Sequence, residues 1–183
     1  MANICSNSLR VFNIKDFVSK YGDLSKKDNE YFYFEKVIPI GKWEYNKAIE
    51  NWNTKWEPEI ISFDEIENGY QIGFNTAWSP PINVVRKIIE NEIENKNYDA
   101  SATLYYFEPG TNLFGILRFF ITQVDENEYV VEEEEIDFTD YDNEDFEDTE
   151  YIIEMLEDNF SGDLDYIKRA VLTTIEEEIL YEW

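Results

Sequence analysis

No lysine or arginine occurs between Phe119 and Ile167, although aspartate and glutamate recur throughout this stretch. The stretch contains 20 of the 41 acidic residues in a chain whose formal net charge is −26. Because the negative charge is segregated, it creates a directed field that attracts a basic partner.

Apolar side chains are interleaved with these carboxylates. Acidic runs are most often solvated faces or disordered tails, but disordered segments are usually poor in aromatic and branched residues. Here the regular apolar positions favour ordered strand and helix with acidic outer faces. These positions are Tyr129, Val130, Val131, Ile136, Phe138, Tyr141, Phe146, Tyr151, Ile152, Ile153, Leu156 and Phe160.

The composition predicts one compact domain with an appendage. The chain has 183 residues, of which 43% are apolar and 17% aromatic, which is sufficient for a hydrophobic core. Its N-terminus lacks the apolar region of a signal peptide, and the apolar run from Leu113 to Ile121 is short and interrupted by Arg118. Cys5 is the single cysteine, which fits a reducing compartment. We therefore expect a soluble, cytoplasmic protein.

Two hairpins and an amphipathic helix are predicted before the acidic segment. Asn68-Gly69 between alternating runs at 59–66 and 70–77 is a strong hairpin signal. Pro109-Gly110 lies between two further strands, at 100–107 and 113–124. Ser79 is predicted to cap a helix that runs to about residue 95, with apolar residues at helical spacing.

The remaining elements are predicted with weaker signals. Residues 7–14 form a first strand, 31–40 an extended segment, 46–52 a short helix and 128–136 a further strand. The periodicity becomes helical beyond about residue 139. The order predicts an α+β protein with a ferredoxin-like split βαβ sheet and helices on one face. We place this core at 1–124 and an acidic strand and helical extension, packed on the core, at 125–183.

Several kinds of enzyme are excluded by the residue types that are missing. The chain contains no histidine, which removes histidine-dependent nucleophilic schemes and most transition-metal sites. Cys5 is expected to be a small buried side chain. The calcium-like string at 140–151 lacks the glycine and glutamate of an EF-hand. We predict a protein without catalysis, cofactor or specific metal, although a carboxylate-only, metal-dependent hydrolase stays an alternative.

Four tryptophans lie near predicted turns: Trp43, Trp52, Trp56 and Trp78. Large aromatic residues at sheet ends most often close the core, which is the interpretation that we favour. Stacking on a ligand is the alternative.

Four short strings resemble the YubB-type ferredoxin-like domain family of phages and plasmids. They are the start at 1–7, the Trp-Asn-Thr-Lys-Trp string at 52–56, the Phe-Asn-Thr-Ala-Trp-Ser-Pro-Pro string at 74–81, and Glu108-Pro109-Gly110 with Phe114-Gly115. The resemblance covers roughly residues 1–124. It implies a ferredoxin-like fold and an origin on a mobile element, but no catalytic residues. The acidic segment beyond residue 124 departs from the family.

The segregated acidity leads to a functional hypothesis. A protein built to neutralise phosphates also accepts densely placed carboxylates, so we expect a phage or mobile-element inhibitor that mimics nucleic acid and occupies a basic host protein. Direct binding to nucleic acid or membrane is not expected. The alternative is a peptide- or small-molecule-binding module whose acidic segment provides solubility. The expected contact residues are Glu132, Glu134, Asp137, Asp140, Asp142, Glu144, Asp145, Glu147 and Asp148.

Overall fold

The computed structural model describes residues 3–22, 31–108, 110 and 113–137. The chain divides into two compact units, Met1–Asp137 and Phe138–Trp183, and the second lies outside the described residues. The elements of the first unit are, in chain order, β1 (Ile4–Phe12), α1 (Phe17–Tyr21), α2 (Phe34–Val37), α3 (Tyr45–Trp52), β2 (Glu59–Ile66), β3 (Gly69–Ala77), α4 (Ile82–Glu94), β4 (Ser101–Glu108), β5 (Leu113–Asp125) and β6 (Glu128–Asp137).

The six strands form one sheet in the order β2-β3-β1-β4-β5-β6, and every neighbouring pair is antiparallel. The protein is therefore α+β, as the sequence predicts. The predicted strand at 128–136 is confirmed as β6, which pairs with β5 and belongs to the same sheet. The predicted domain boundary at residue 124 stays a prediction, and the predicted C-terminal helices lie outside the described residues.

The core lies against one face of this sheet. Leu9 pairs with Ile72 on β3 and with Leu104 on β4, and Leu104 pairs with Leu117 on β5. These four side chains form a continuous row, and all are fully buried. Helix α4 buries Val84, Val85, Ile88 and Ile89. Each such side chain contributes roughly 1.5–3 kcal/mol by leaving water. A membrane-spanning helix is not found among the described helices, of which α4 is the longest at 13 residues.

The predicted hairpin at Asn68-Gly69 is confirmed, and each of the two residues suits its position for a different reason. Asn68 has φ 60°, in the left-handed region that asparagine tolerates better than most residues. Gly69 is already the first residue of β3. A Cβ atom there would lie 2.0 Å from the carbonyl oxygen of Val11, so only glycine allows β1 to approach. Both residues are therefore required by the close packing of the hairpin on β1.

Two local predictions are wrong. The segment at 31–40 is not extended throughout, because Phe34–Val37 form α2. The carboxylate of Glu57 accepts hydrogen bonds from the amides of Phe34 and Glu35, at 2.6 and 2.9 Å, and so holds the start of that helix. Ser79 does not cap α4, because its hydroxyl donates to the carbonyl oxygen of Asn53. In both places a hydrogen bond with a residue distant in sequence accounts for the local structure.

Candidate functional site

The acidic strand β6 lies at one edge of the described sheet. It carries six acidic residues in ten positions: Glu128, Glu132, Glu133, Glu134, Glu135 and Asp137. Because side chains alternate along a strand, Glu132 and Glu134 share one face of the sheet. Asp137 ends the strand opposite Gly115. Part of the acidic segment is therefore built into the regular structure of the sheet.

Six of the nine predicted contact residues lie outside the described residues: Asp140, Asp142, Glu144, Asp145, Glu147 and Asp148. The structure thus places Glu132, Glu134 and Asp137 on one strand and leaves the grouping of the other six a prediction.

Two glutamates of β6 form ion pairs with arginines of the same unit. Glu134 lies 3.3 Å from Arg118 on β5, and Glu133 pairs with Arg86 on α4. Each arginine also lies beside an aromatic ring, Arg118 at 5.1 Å from the Phe120 centroid and Arg86 at 5.7 Å from that of Phe119. These contacts hold the two carboxylates in place and neutralise part of their charge.

Sequence reasoning missed these arginine partners. Arg118 faces Glu134 directly in the β5–β6 register, so strand pairing is a signal for this contact. The signal is displaced by the register shift between Gln123 and Asp125, because counting back from the turn at 126–127 without that shift places Phe119 opposite Glu134. Arg86 has no such signal, because only the packing of α4 brings it to Glu133.

Five exposed carboxylates of the described chain lie along β6 and its connection to β5. We call this set the acidic edge, and it consists of Asp125, Glu126, Glu128, Glu132 and Glu135. Glu135 also accepts a hydrogen bond from the hydroxyl of Tyr106 at 3.3 Å. Since these carboxylates are exposed, they are the ones that a partner in solution meets.

The strings at 1–7, 52–56 and 74–81 meet at one end of the sheet. The hydroxyl of Thr54 donates to the carbonyl oxygen of Ala77 at 2.9 Å and accepts from its amide at 3.1 Å. The side-chain amide of Asn53 donates to Pro80 at 3.0 Å. The amide of Trp78 donates to the carbonyl oxygen of Asn3 at 3.0 Å. Strings distant in sequence are therefore joined by specific hydrogen bonds, which gives their polar residues a structural role.

The same end of the sheet exposes an aromatic surface, which consists of Trp43, Tyr45, Trp56 and Trp78. Trp43 is 50% exposed, Tyr45 45% and Trp78 37%, whereas Trp56 is half-buried. The rings of Tyr45 and Trp78 contact edge to face, with centroids 6.1 Å apart. The prediction that the four tryptophans close the core is thus confirmed for Trp52, which is buried, and wrong for Trp43 and Trp78.

Lys55 lies within this aromatic surface. Its ammonium nitrogen is 5.2 Å from the ring centroid of Trp56 and 5.1 Å from that of Trp78. Its carbonyl oxygen accepts a hydrogen bond from the indole of Trp43 at 3.0 Å. Trp78 also has φ 67°, which is unusual for a bulky residue and is maintained by the surrounding hydrogen bonds. The chain therefore holds two indole faces around one cation.

Replacing Thr54 with valine is expected to lower the free energy of unfolding by about 2–3 kcal/mol. Thr54 is fully buried, and valine keeps its shape but leaves the amide and carbonyl of Ala77 without their hydroxyl partner. Urea denaturation followed by circular dichroism measures this change.

Thr54→Ser is the matched control, because serine retains the hydroxyl and removes only a methyl group. If the valine variant were as stable as the serine variant, the Thr54–Ala77 contact would not contribute to joining these strings.

Cys5 is fully buried on β1, as predicted. Its sulfur lies 3.9 Å from the side-chain oxygen of Asn7. Burial raises the pKa of the Cys5 thiol to about 12, so the reactive thiolate is scarce at neutral pH. In the part of the chain that the structure describes, no three acidic or cysteine side chains are grouped to hold a metal ion.

Comparison of the chain with protein-family models, with curated proteins and with solved structures gives no match.

Proposed function

We propose that this protein is a non-enzymatic inhibitor of the anti-restriction or anti-CRISPR type, which occupies a basic nucleic-acid-binding surface of a host protein. The observation that carries the proposal is the position of β6: six acidic residues lie on a strand at the edge of the sheet that the described residues form. A fixed carboxylate array loses less conformational entropy on binding than a disordered tail does.

Charge density limits how such a surface acts. Duplex DNA carries one charge per ~1.7 Å of axis, whereas one face of a strand presents a side chain every ~6.6 Å. The charges on β6 alone are therefore too widely spaced to replace those of a duplex. The proposal requires further acidic elements beside it, and the residues at 140–148 are the candidates in sequence.

The ion pairs divide the carboxylates of β6 into two roles. Glu133 and Glu134 already engage Arg86 and Arg118, so a partner gains less from them. The acidic edge supplies the negative charge that a partner protein contacts. Exposed ion pairs contribute about 0.2–1 kcal/mol each, so recognition is the sum of many weak contacts and depends strongly on salt.

We also propose that the core has the ferredoxin-like arrangement and is related to the YubB-type domains. The strand order β2-β3-β1-β4, with α1–α3 between β1 and β2 and with α4 between β3 and β4, supports the split βαβ arrangement. The hydrogen bonds that join the strings at 52–56 and 74–81 support the relationship, because they give both strings one common structural purpose.

The test compares two triple variants of equal charge. Glu128, Glu132 and Glu135 are replaced with glutamine in the first, and Glu59, Asp64 and Glu65 of the opposite edge strand β2 are replaced with the matching amides in the second. All six side chains are exposed. The host protein captured at low salt is identified and its binding is measured. We expect roughly tenfold weaker binding for the β6 variant only, since about 1.4 kcal/mol corresponds to a factor of ten.

Competition completes the test. The intact protein is expected to displace nucleic acid from the captured partner, and its affinity should fall steeply between low and high salt. Equal loss of partner binding in both triple variants would mean that binding depends on net charge alone and not on the position of β6. Simultaneous, independent binding of this protein and nucleic acid to the partner would refute the mimicry.

A further inference from the structure

The aromatic surface has a chemistry distinct from that of the acidic edge. Indole faces carry negative electrostatic potential and attract cations within about 6 Å of the ring centroid. Lys55 meets this criterion with both Trp56 and Trp78, at 5.2 and 5.1 Å. The surface therefore already binds an ammonium group, which belongs to the chain itself.

The rings beside Lys55 are accessible from solvent. Trp78 is 37% exposed, and Tyr45, whose ring packs against it edge to face, is 45% exposed. The hydrogen bonds from Thr54 to Ala77 and from Asn53 to Pro80 hold together the two backbone segments that carry Trp56 and Trp78. The net charge of −26 raises the local concentration of cations near the protein.

We propose that the aromatic surface binds a lysine or arginine side chain of a protein partner, and that Lys55 occupies this position in the free protein. On binding, the partner's cation takes the place of the Lys55 ammonium between the two indoles, and Lys55 turns to solvent. The inference rests on the proposed function for the partner's identity, since a nucleic-acid-binding protein is rich in such side chains.

One partner can contact the aromatic surface and the nearest part of the acidic edge. β3 and β6 are separated by β1, β4 and β5 in the sheet. Four strand spacings of ~4.8 Å separate these two strands by roughly 20 Å across the sheet. Ala77, which precedes Trp78, is level with the Leu113 end of β5. Glu135, opposite Leu117, is therefore the member of the acidic edge nearest to the aromatic surface, whereas Glu128, opposite Asp125, lies at the far end of the strands. An interface of ~800 Å² on each partner includes the aromatic surface and Glu135 but not the whole acidic edge. The aromatic surface then adds a contact that is less sensitive to salt than the exposed carboxylates are.

The test uses a blocked glycine-lysine-glycine peptide and its norleucine analogue, in which the ammonium is absent. The lysine peptide is titrated with the full-length protein at ~1 M salt, where the Debye length is about 3 Å. The side-chain Hε protons of the peptide are followed by NMR, because a ring face shifts them upfield. We expect saturable upfield shifts for the lysine peptide and at least threefold weaker binding of the norleucine analogue.

Three variants make the assignment specific. Lys55→Met is expected to bind the lysine peptide two- to fivefold more tightly, because the resident cation no longer competes. Trp78→Asn is expected to abolish binding, and asparagine is chosen since it tolerates a positive φ. Tyr98→Ala, which removes an exposed ring outside the aromatic surface, is expected to bind normally. Unchanged affinity in Lys55→Met, or equal binding of the norleucine analogue, would overturn the inference.

The β6 triple variant separates this inference from the proposed function. If that variant binds the peptide normally but loses the host protein, both ideas stand. If the peptide fails to bind the intact protein and Lys55→Met, the cation site is refuted while the acidic edge is unaffected. Peptide binding with no effect of the β6 substitutions on the host protein would support the cation site and contradict the role of the acidic edge.

Discussion

Replacing Trp52 with alanine is expected to lower the free energy of unfolding by about 3–5 kcal/mol. Trp52 is only 2% exposed, at the end of α3. Its ring meets Phe34 edge to face with centroids 5.8 Å apart, and its indole donates to the carbonyl oxygen of Ile38 at 2.9 Å. Alanine leaves a cavity between α2 and α3 and removes the partner of that carbonyl. Denaturant titration of both proteins measures the loss.

Trp43→Ala is the control for this experiment. Trp43 is also a tryptophan near a turn, but it is half exposed, so its loss is expected to cost less than about 1 kcal/mol. Similar destabilisation by both substitutions would contradict the division of the tryptophans into one buried anchor and an aromatic surface.

The protein is expected to lose stability as the pH rises from about 9 to 12. Burial raises the pKa of the Cys5 thiol from 9.0 to about 12 and that of the Tyr21 hydroxyl from 10.0 to about 12. In the unfolded chain both groups release their protons at lower pH than in the folded chain. The contribution of these two groups to the free energy of unfolding is therefore complete below pH 9 and is lost as the pH approaches 12. Each unit of difference in pKa between the folded and unfolded chain corresponds to about 1.36 kcal/mol, so Cys5 accounts for about 4 kcal/mol of the stability lost over this pH range.

Urea denaturation at intervals of pH measures this dependence. Cys5→Ala should flatten the decline between pH 9 and 12, although its stability at pH 7 is lower because a buried sulfur is lost. Tyr21→Phe should flatten the decline above pH 10. If both variants lost stability with the same slope as the unchanged protein, other groups would control the alkaline transition.

The sequence alone determined the elements whose signals are local. The Asn68-Gly69 hairpin, the strands on both sides of Gly110, the helix with its apolar face at Val85, Ile88 and Ile89, and strand β6 all follow from periodicity and turn residues. The antiparallel α+β class follows from their order. The shared face of Glu132 and Glu134 follows once β6 is identified as a strand, because side chains alternate along any strand.

Tertiary structure decided which side chains meet. Glu57 holds the start of α2, Ser79 bonds Asn53 instead of capping α4, and Arg86 reaches Glu133 from a helix. None of these partners is adjacent in sequence, so no local pattern encodes them. The tryptophans show the same limit. Trp52 and Trp78 are the same residue type and both lie near a predicted turn, yet Trp52 is buried and Trp78 is exposed. Burial depends on how α3 packs against α2 and the sheet, which only the assembled fold specifies.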